Sequence, residues 1–352
     1  MIEYRVLDTT FKDVLVVDTF DSILWTDRYS GSGDFEISSH IDAELLLNAH
    51  RGAYIISTAS DHIMIVEDIV IETDAEMGNR MYVSGRSAES ILNRRIIWTQ
   101  TNISGNLQNG ILKLLNENLI NPTDTNRKVD NFIFEASTEP YITDLTLDAQ
   151  FTGDNLYEVI KVICDVFGLG FQVTLNEENK FVFKLYVGKD HSYEQQDNPY
   201  VIFSPEYDNI LSSNYYETDK NVRNIALIAG EGEGLSRRTA TIGEGVGLDR
   251  RELFVDARDI SSDTEDGTLT EAEYTKLLQQ RGEDSMAENI LVQSFEGEAE
   301  VGVNFVLGID FNIGDIVQLR NEYGLESSTR VTEVIFSHDL SGTRIVPTFS
   351  IV

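Results

Sequence analysis

Hydrophobic and polar residues alternate through the first hundred positions with the period of two that is typical of half-buried β-strands. The clearest series shares one parity, is interrupted only by Glu67, and consists of Ile63, Ile65, Ile69 and Ile71. Further short strand-like runs, separated by turn-forming Gly, Asp, Asn and Ser residues, lie at 14–17, 35–37, 53–57, 81–83 and 95–98. Short strands at this spacing predict a small β-barrel or sandwich.

The pattern changes to a helical period after about residue 100. One predicted helix stops at Asn121-Pro122, and its apolar stripe is Leu107, Ile111, Leu114 and Leu115. A second predicted helix begins at a Thr152 cap and ends at Gly168, and its stripe is Leu156, Ile160, Ile163 and Phe167. Strands at 171–175 and 181–187 follow and are joined by a hairpin turn. Residues 99–205 therefore predict an α/β unit.

Strand patterning resumes after about residue 210. A glycine-rich loop at 230–234 opens an acidic loop and helix excursion at about 231–288, in which Thr270 and Glu273 have capping-box spacing. Further strands are predicted near 292–306, 316–319, 330–336 and 344–351. The chain thus reads β, α/β, β, with predicted domains at 1–98, 99–205 and 206–352. Its predicted class is β-rich α+β.

The charge balance limits the partners of the chain, because 60 Asp and Glu residues oppose 27 Lys and Arg residues and give a formal net charge of −33. Binding to nucleic acid or to an anionic membrane needs basic surface, so neither is expected. A solubility role, or an origin in a salty habitat, would also explain the surplus. The 41% of hydrophobic residues places the chain among folded proteins and not among disordered ones.

Cysteine usage and the N-terminal sequence indicate synthesis in a reducing cytoplasm. Cys164 is the single cysteine, so the chain cannot form an internal disulfide or a Cys-rich zinc site. No basic region followed by an apolar stretch occurs at the N-terminus, and no apolar run approaches the ~18 residues of a membrane span. Neither secretion nor membrane insertion is predicted.

Side chains that carry chemistry are scattered along the chain. The histidines form no metal-ligand spacing, and we interpret each as a surface or turn residue: His40, His50, His62, His191 and His338. No GxSxG nucleophile motif occurs, and Cys164 lies beside an apolar stripe, where it is best interpreted as a small buried hydrophobe. The loop at 230–234 fits no phosphate-binding motif. We assign no catalytic, cofactor-binding or metal-binding residue, and expect no cofactor.

One partial metal signal remains open. Asp266 and Glu273 match the second half of an EF-hand loop, but Ser262 and Thr264 stand where the first half needs acidic ligands. Glu273 is better explained as the capping partner of Thr270. Carboxylate pairs suited to glycoside hydrolysis are also available, although the sequence gives no separation between them.

Several segments form an ordered series that is more specific than any one of them. The first, at 25–37, contains Trp25, Arg28, Tyr29, Gly33, Asp34 and Phe35. The second, at 85–96, contains Arg94 and Arg95, and later segments lie at 153–171, 230–234, 247–256 and 314–317. The segment at 247–256 contains Arg250, Arg251 and Glu252. Together they resemble the siphophage tail baseplate hub proteins over nearly the whole chain. We take the named residues as candidate structural or interface residues.

The resemblance implies two small β-barrel-like domains with an α/β insertion between them, as in the hubs of contractile phage tails and type VI secretion spikes. It implies a homotrimer with pseudo-sixfold symmetry, and a virion structural protein that is not an enzyme. The expected place is the tail tip of a long-tailed phage, after assembly in the bacterial host cytoplasm. Expected partners are the distal tail protein or tail tube, the tape measure, and the tip or receptor-binding proteins. DNA would pass through the ring without sequence-specific binding.

A ring gives the acidic surplus a possible role, because carboxylates that line a bore repel DNA within a screening length of ~8 to 10 Å. Carboxylates that face bulk solvent would have no such role. Two alternatives remain open. One is a carbohydrate-active hydrolase with paired carboxylates. The other is a glycan-binding tail module, which is weakened by the presence of only two tryptophans, Trp25 and Trp98.

Overall fold

A computed structural model describes residues 2–74, 78–264, 267–299 and 304–352. Strands contain 43% of the residues and helices contain 22%, so the predicted β-rich α+β class is confirmed. Asp266, half of the partial calcium signal, lies outside the described residues. No helix in the described ranges is both long enough and apolar enough to span a bilayer.

The first region is built almost entirely from strands, as its alternating pattern predicts. Its elements are β1 (Tyr4–Leu7), β2 (Asp13–Val17), β3 (Ser22–Arg28), β4 (Asp34–His40), α1 (Ala43–Asn48), β5 (Tyr54–Ser57), β6 (Ser60–Asp74) and β7 (Gly78–Ser87). A 3-10 helix at Ala88–Arg94 ends the region. The prediction of a strand at 95–98 is wrong, because Ile96 forms only an isolated β-bridge there, to Asn155.

The middle region contains the predicted helices and hairpin. Its elements are β8 (Thr101–Asn106), α2 (Leu107–Leu115), β9 (Phe132–Glu135), α3 (Pro140–Asp144), β10 (Thr146–Phe151), α4 (Leu156–Val166), β11 (Gly170–Leu175) and β12 (Phe181–Tyr186). A π-helical turn extends α2 to Ile120. The prediction that Thr152 caps α4 is wrong. The cap is Asn155, whose side chain accepts hydrogen bonds from the amides of Tyr157 and Glu158.

The last region alternates strands with one long helix. Its elements are β13 (Ile202–Phe203), β14 (Ile210–Thr218), β15 (Ile225–Ala229), β16 (Thr239–Gly243), β17 (Glu252–Asp256), β18 (Asp263–Thr264), β19 (Gly267–Thr268), α5 (Glu271–Ala287), β20 (Val292–Ala299), β21 (Ile316–Arg320), β22 (Glu326–Asp339) and β23 (Gly342–Ile351). The predicted capping box of Thr270 and Glu273 begins α5 and is confirmed. The strand predicted at 292–306 runs partly outside the described residues, at 300–303.

Sixteen strands join into one sheet that links the first and last regions of the chain. The link is β3, which pairs with β4 on one side and with β22 on the other, where Trp25 lies opposite Phe336. Among the described residues no closed barrel forms, so two separate barrel-like domains are not confirmed. The domain boundaries at 98 and 205 stay a prediction.

Strand β6 has a hydrophobic core on each of its faces. Ile63 and Ile65 belong to the core that includes α2 and α4, whereas Met64 and Val66 belong to the core around Trp25. The register with β7 shifts at Glu67, which is a β-bulge that places Ile69 against the second core. The shared parity of the four isoleucines therefore does not place them on one face of β6.

A third, smaller core lies between α5 and the three-stranded sheet β16-β15-β17. Ala226 and Ile228 of β15 face Tyr274 and Leu278 of α5. The stretch at 252–273 beside this unit is acidic, and four of its described carboxylates pair with arginines, among them Asp256 with both Arg237 and Arg258. Its carboxylates therefore contribute less free negative charge than the sequence indicates.

Candidate assembly site

Trp25 and Phe35 face each other across the β3–β4 pair and are core residues. Trp25 is 1% exposed and Phe35 is 2% exposed. The Trp25 ring lies 6.1 Å from Tyr4 and 6.2 Å from Phe35, and its indole N–H donates to the Asp27 carboxylate at 2.9 Å. The buried indole therefore has the hydrogen-bond partner that its burial requires.

Arg28 ties the β3–β4 turn to the last region of the chain. Its guanidinium lies 2.6 Å from Asp34 and 2.6 Å from Glu333, and donates to the Ser32 carbonyl at 2.8 Å. Burial opposes the charge of Arg28, but the two carboxylates outweigh burial and raise its pKa. Glu333 is on β22, so this network adds to the backbone pairing of β3 and β22.

Tyr29 lies at a junction of all three regions. Its hydroxyl donates to the Gly168 carbonyl at 2.9 Å, and its amide donates to the Thr332 carbonyl at 2.9 Å. A Cβ atom at Gly170 would lie 2.5 Å from the Tyr29 ring, and one at Gly314 would lie 2.3 Å from it. The two glycines allow the middle and last regions of the chain to approach this ring closely.

Gly33 permits a close backbone approach in the β3–β4 turn. A Cβ atom there would lie 2.1 Å from the carbonyl oxygen of Thr26. The Gly33 amide donates to the Ser87 hydroxyl at 2.7 Å, and the Ser87 amide returns a bond to the Gly33 carbonyl at 3.0 Å. The turn is thereby fixed to the end of β7.

The other candidate residues lie in two different places. Arg94 and Arg95 end the 3-10 helix after β7, where Arg95 donates to the Arg127 carbonyl. Arg250 pairs with Glu252 at 2.6 Å beside β17, and Arg251 pairs with Asp219. Within the described ranges, no hydrogen bond or ion pair joins either group to the β3–β4 residues. The candidates therefore do not form one site.

A buried ionisable cluster lies beneath β3. His62 Nδ1 lies 3.1 Å from Glu89 Oε1, and the Val173 amide donates to the same oxygen at 2.6 Å. Burial opposes ionisation of both side chains, but their mutual attraction outweighs it. Glu89 and the nearby Asp27 raise the pKa of His62 to about 9, and His62 lowers the pKa of Glu89. Burial raises the pKa of Asp27.

This cluster corrects the interpretation of the histidines. His62 is 6% exposed and His191 is 7% exposed, so neither is a surface residue. His62 shares its parity with the buried Met64 on β6, a signal that was present in the sequence. Cys164 is fully buried as expected. A cavity of about 770 Å³ opens beside Asp27 and His62. Among the described residues, no group of three or more His, Cys, Asp or Glu side chains is placed so that it could hold a metal ion.

A family model described as the siphovirus ReqiPepy6 Gp37-like protein matches residues 3–349. The chain belongs to this family. The expected relationship to siphophage tail hub proteins and type VI secretion spikes is thereby confirmed at the level of the family and its structural neighbours. A comparison with curated proteins finds no match.

Solved structures show the same fold at low sequence identity. A tail protein from Neisseria meningitidis MC58 is 12% identical with a TM-score of 0.59, covering 99% of this chain and 96% of that one. The 43 kDa tail protein of prophage MuSo2 from Shewanella oneidensis is 14% identical with a TM-score of 0.61, covering 99% and 98%. A chain of the half-lidded Francisella PdpA-VgrG complex is 8% identical with a TM-score of 0.51, covering 99% and 57%.

Within this siphovirus fold, segments distant in sequence meet at Tyr29 and Gly33. Tyr29 contacts Gly168 and Gly170 of one motif segment and Gly314 of another, and Gly33 contacts Ser87 of a third. Four of the six motif segments therefore meet at one packed junction, whereas those at 230–234 and 247–256 lie elsewhere. The close approaches that the glycines allow explain why those positions are glycine.

Proposed function

We propose that this chain is a structural component of a siphovirus tail and forms the baseplate hub at the distal tip. The observation that carries the proposal is the match of a siphovirus family to residues 3–349, together with a tail-protein fold over 99% of the chain. The role is mechanical: the hub joins the tail tube to the tip or receptor-binding apparatus. We propose that it has no enzymatic activity.

A homotrimer with two barrel-like domains per subunit is the assembly that we propose. Pairing of β3 with β22 and the Arg28–Glu333 contact hold the first and last β regions in a fixed relation. Three copies of a subunit that holds its two β regions in a fixed relation would place six β regions around a threefold axis. Subunits would close such a ring through heterologous contacts.

The bore of this ring would conduct DNA, and we propose that part of the net charge of −33 faces it. Acidic walls would repel phosphates and keep DNA from adhering during passage. Arginines already match part of the 252–273 stretch, so other carboxylates would supply this charge. Proposed partners are the distal tail protein or tail tube, the tape measure, and the tip proteins.

Immunogold labelling of intact particles tests the location. Antibodies raised against the purified chain should label only the end of the tail opposite the head, because a hub occupies one level of the tail. Antibodies against the major tube protein should label the whole tail and serve as the control. Label along the tail, on the head, or absent from purified particles would contradict the proposal.

A further inference from the structure

Three arginines converge at the end of the 3-10 helix that follows β7. Arg95 donates to the Arg127 carbonyl from Nε at 3.2 Å and from Nη2 at 3.1 Å. Arg95 Nη1 also donates to the Arg94 carbonyl at 3.0 Å. The Arg127 side chain in turn binds the backbone beside Arg95, because its Nη2 donates to the Ile96 carbonyl at 2.7 Å. Backbone carbonyls hold two of these guanidiniums in place, and they leave the positive charges close together.

An exposed tryptophan completes the cluster. Trp98 is 68% exposed, and the Arg127 guanidinium lies over its ring at 5.4 Å from the centroid. Ile96 is 41% exposed beside it. We call Arg94, Arg95, Ile96, Trp98 and Arg127 the arginine–tryptophan patch. Trp and Arg are the residue types most enriched where protein interfaces concentrate their binding energy.

The patch brings together three arginines that have no acidic partner among the described residues. Elsewhere in the described chain, many arginines lie within 4.0 Å of a carboxylate, among them Arg5, Arg28, Arg86, Arg237, Arg238, Arg250, Arg251, Arg258, Arg281 and Arg320. No such contact occurs for the described Arg94, Arg95 or Arg127. Desolvation, followed by repulsion from Arg127 and Arg94, lowers the pKa of Arg95. An acidic group from outside the chain would relieve that repulsion.

We propose that the arginine–tryptophan patch docks onto an acidic surface of a second copy of this chain. The inference rests on the proposed ring and identifies one of its contacts. A chain of net charge −33 has a large excess of carboxylates from which such a surface can form. The unmatched guanidiniums are complementary to that charge.

The same charges determine the geometry of the contact. Two patches cannot face each other, because six guanidiniums would then repel one another without carboxylates between them. The contact therefore joins the patch of one copy to a different surface of the next, and the proposed threefold ring requires that this contact be heterologous. Heterologous contacts build rings when the rotation closes, which an isologous dimer contact cannot do.

Sedimentation velocity of the full chain over a range of concentrations tests the inference, with wild type compared against Arg94→Glu. Arg94 is exposed, and its side chain makes no hydrogen bond or ion pair with the described residues, so the variant should fold. We expect its self-association to weaken ten-fold or more, and that of wild type to weaken with added salt. Arg51→Glu is the control, because it makes the same charge change at another exposed arginine and should leave association within about two-fold of wild type.

The outcomes separate this inference from the hub proposal. If wild type and both variants associate equally, the inference that the patch mediates association is wrong, and the proposed ring is unaffected. A wild-type chain that stays monomeric at every concentration would also overturn the patch, whereas the tail-tip location has its own test by gold labelling. Binding of polyphosphate that depends on Arg94, with no change in association, would overturn it in favour of an anionic polymer as the partner.

Discussion

Replacing Gly314 with alanine should lower the free energy of unfolding by about 3 kcal/mol or more. The added Cβ would lie 2.3 Å from the Tyr29 ring, and Gly314 has a φ of +94°, which other residues rarely adopt. The Tyr29 ring is also held by Gly168 and Arg330, so it has little room to move. Urea unfolding followed by tyrosine and tryptophan fluorescence would measure the loss.

Gly308→Ala is the matched control for this prediction. Gly308 has a φ of +83°, but a Cβ there would meet no atom within 4 Å. Its cost should be only the backbone strain, about 1 kcal/mol. Equal losses for the two variants would show that crowding at Tyr29 contributes nothing, and the packed junction would lose its energetic support.

Stability should fall by about 3 kcal/mol as the pH rises from 7 to 10, because of His62. Its pKa rises from 6.5 to about 9 on folding, so its stabilisation is fully present below pH 6.5 and is lost as the pH rises through 9. Glu89 does not contribute to this loss, because its pKa is lowered on folding. The stabilisation that it provides is lost only as the pH falls into the acidic range. Urea unfolding at a series of pH values would measure the effect.

Glu89→Gln should destabilise the chain by about 3 kcal/mol at pH 7 and flatten the pH dependence between 7 and 10, because His62 then lacks its ion-pair partner. Glu67→Gln is the control. It makes the same change in the Glu67–Arg86 pair, whose arginine does not titrate in this range, so the slope should persist. A slope that survives in Glu89→Gln would show that the buried pair is not its source.

Local patterns in the sequence were sufficient where a short segment determines its own structure. The stripe of α2 and the capping box of Thr270 were predictable because each depends on residues within a few positions. The hairpin of β11 and β12 was predictable for the same reason, since its turn is local. The motif series also indicated the family.

Features that depend on distant partners were not predictable. The pairing of Trp25 with Phe336 joins strands from opposite ends of the chain, and no local pattern encodes it. The bulge at Glu67 depends on the register with β7, and it moved Ile69 to the other face of β6. The ion pair of His62 depends on Glu89, which a separate element supplies.

The candidate site shows the same division. The sequence singled out Tyr29, Gly33 and Gly314, but only the fold shows that Tyr29 packs against Gly314. The sequence also indicated Arg94 and Arg95, whereas Arg127 lies 32 positions beyond Arg95 and joins them only through the folded chain. Three-dimensional proximity therefore produced the arginine–tryptophan patch.

A reconstruction of the tail tip from intact particles, by electron cryo-microscopy, tests the hub proposal most directly. The account predicts three copies of this fold around a central channel, next to the tail tube, with carboxylates on the channel wall. Each arginine–tryptophan patch should face the adjacent copy. A single peripheral copy, or a ring whose bore is neutral or basic, would contradict it.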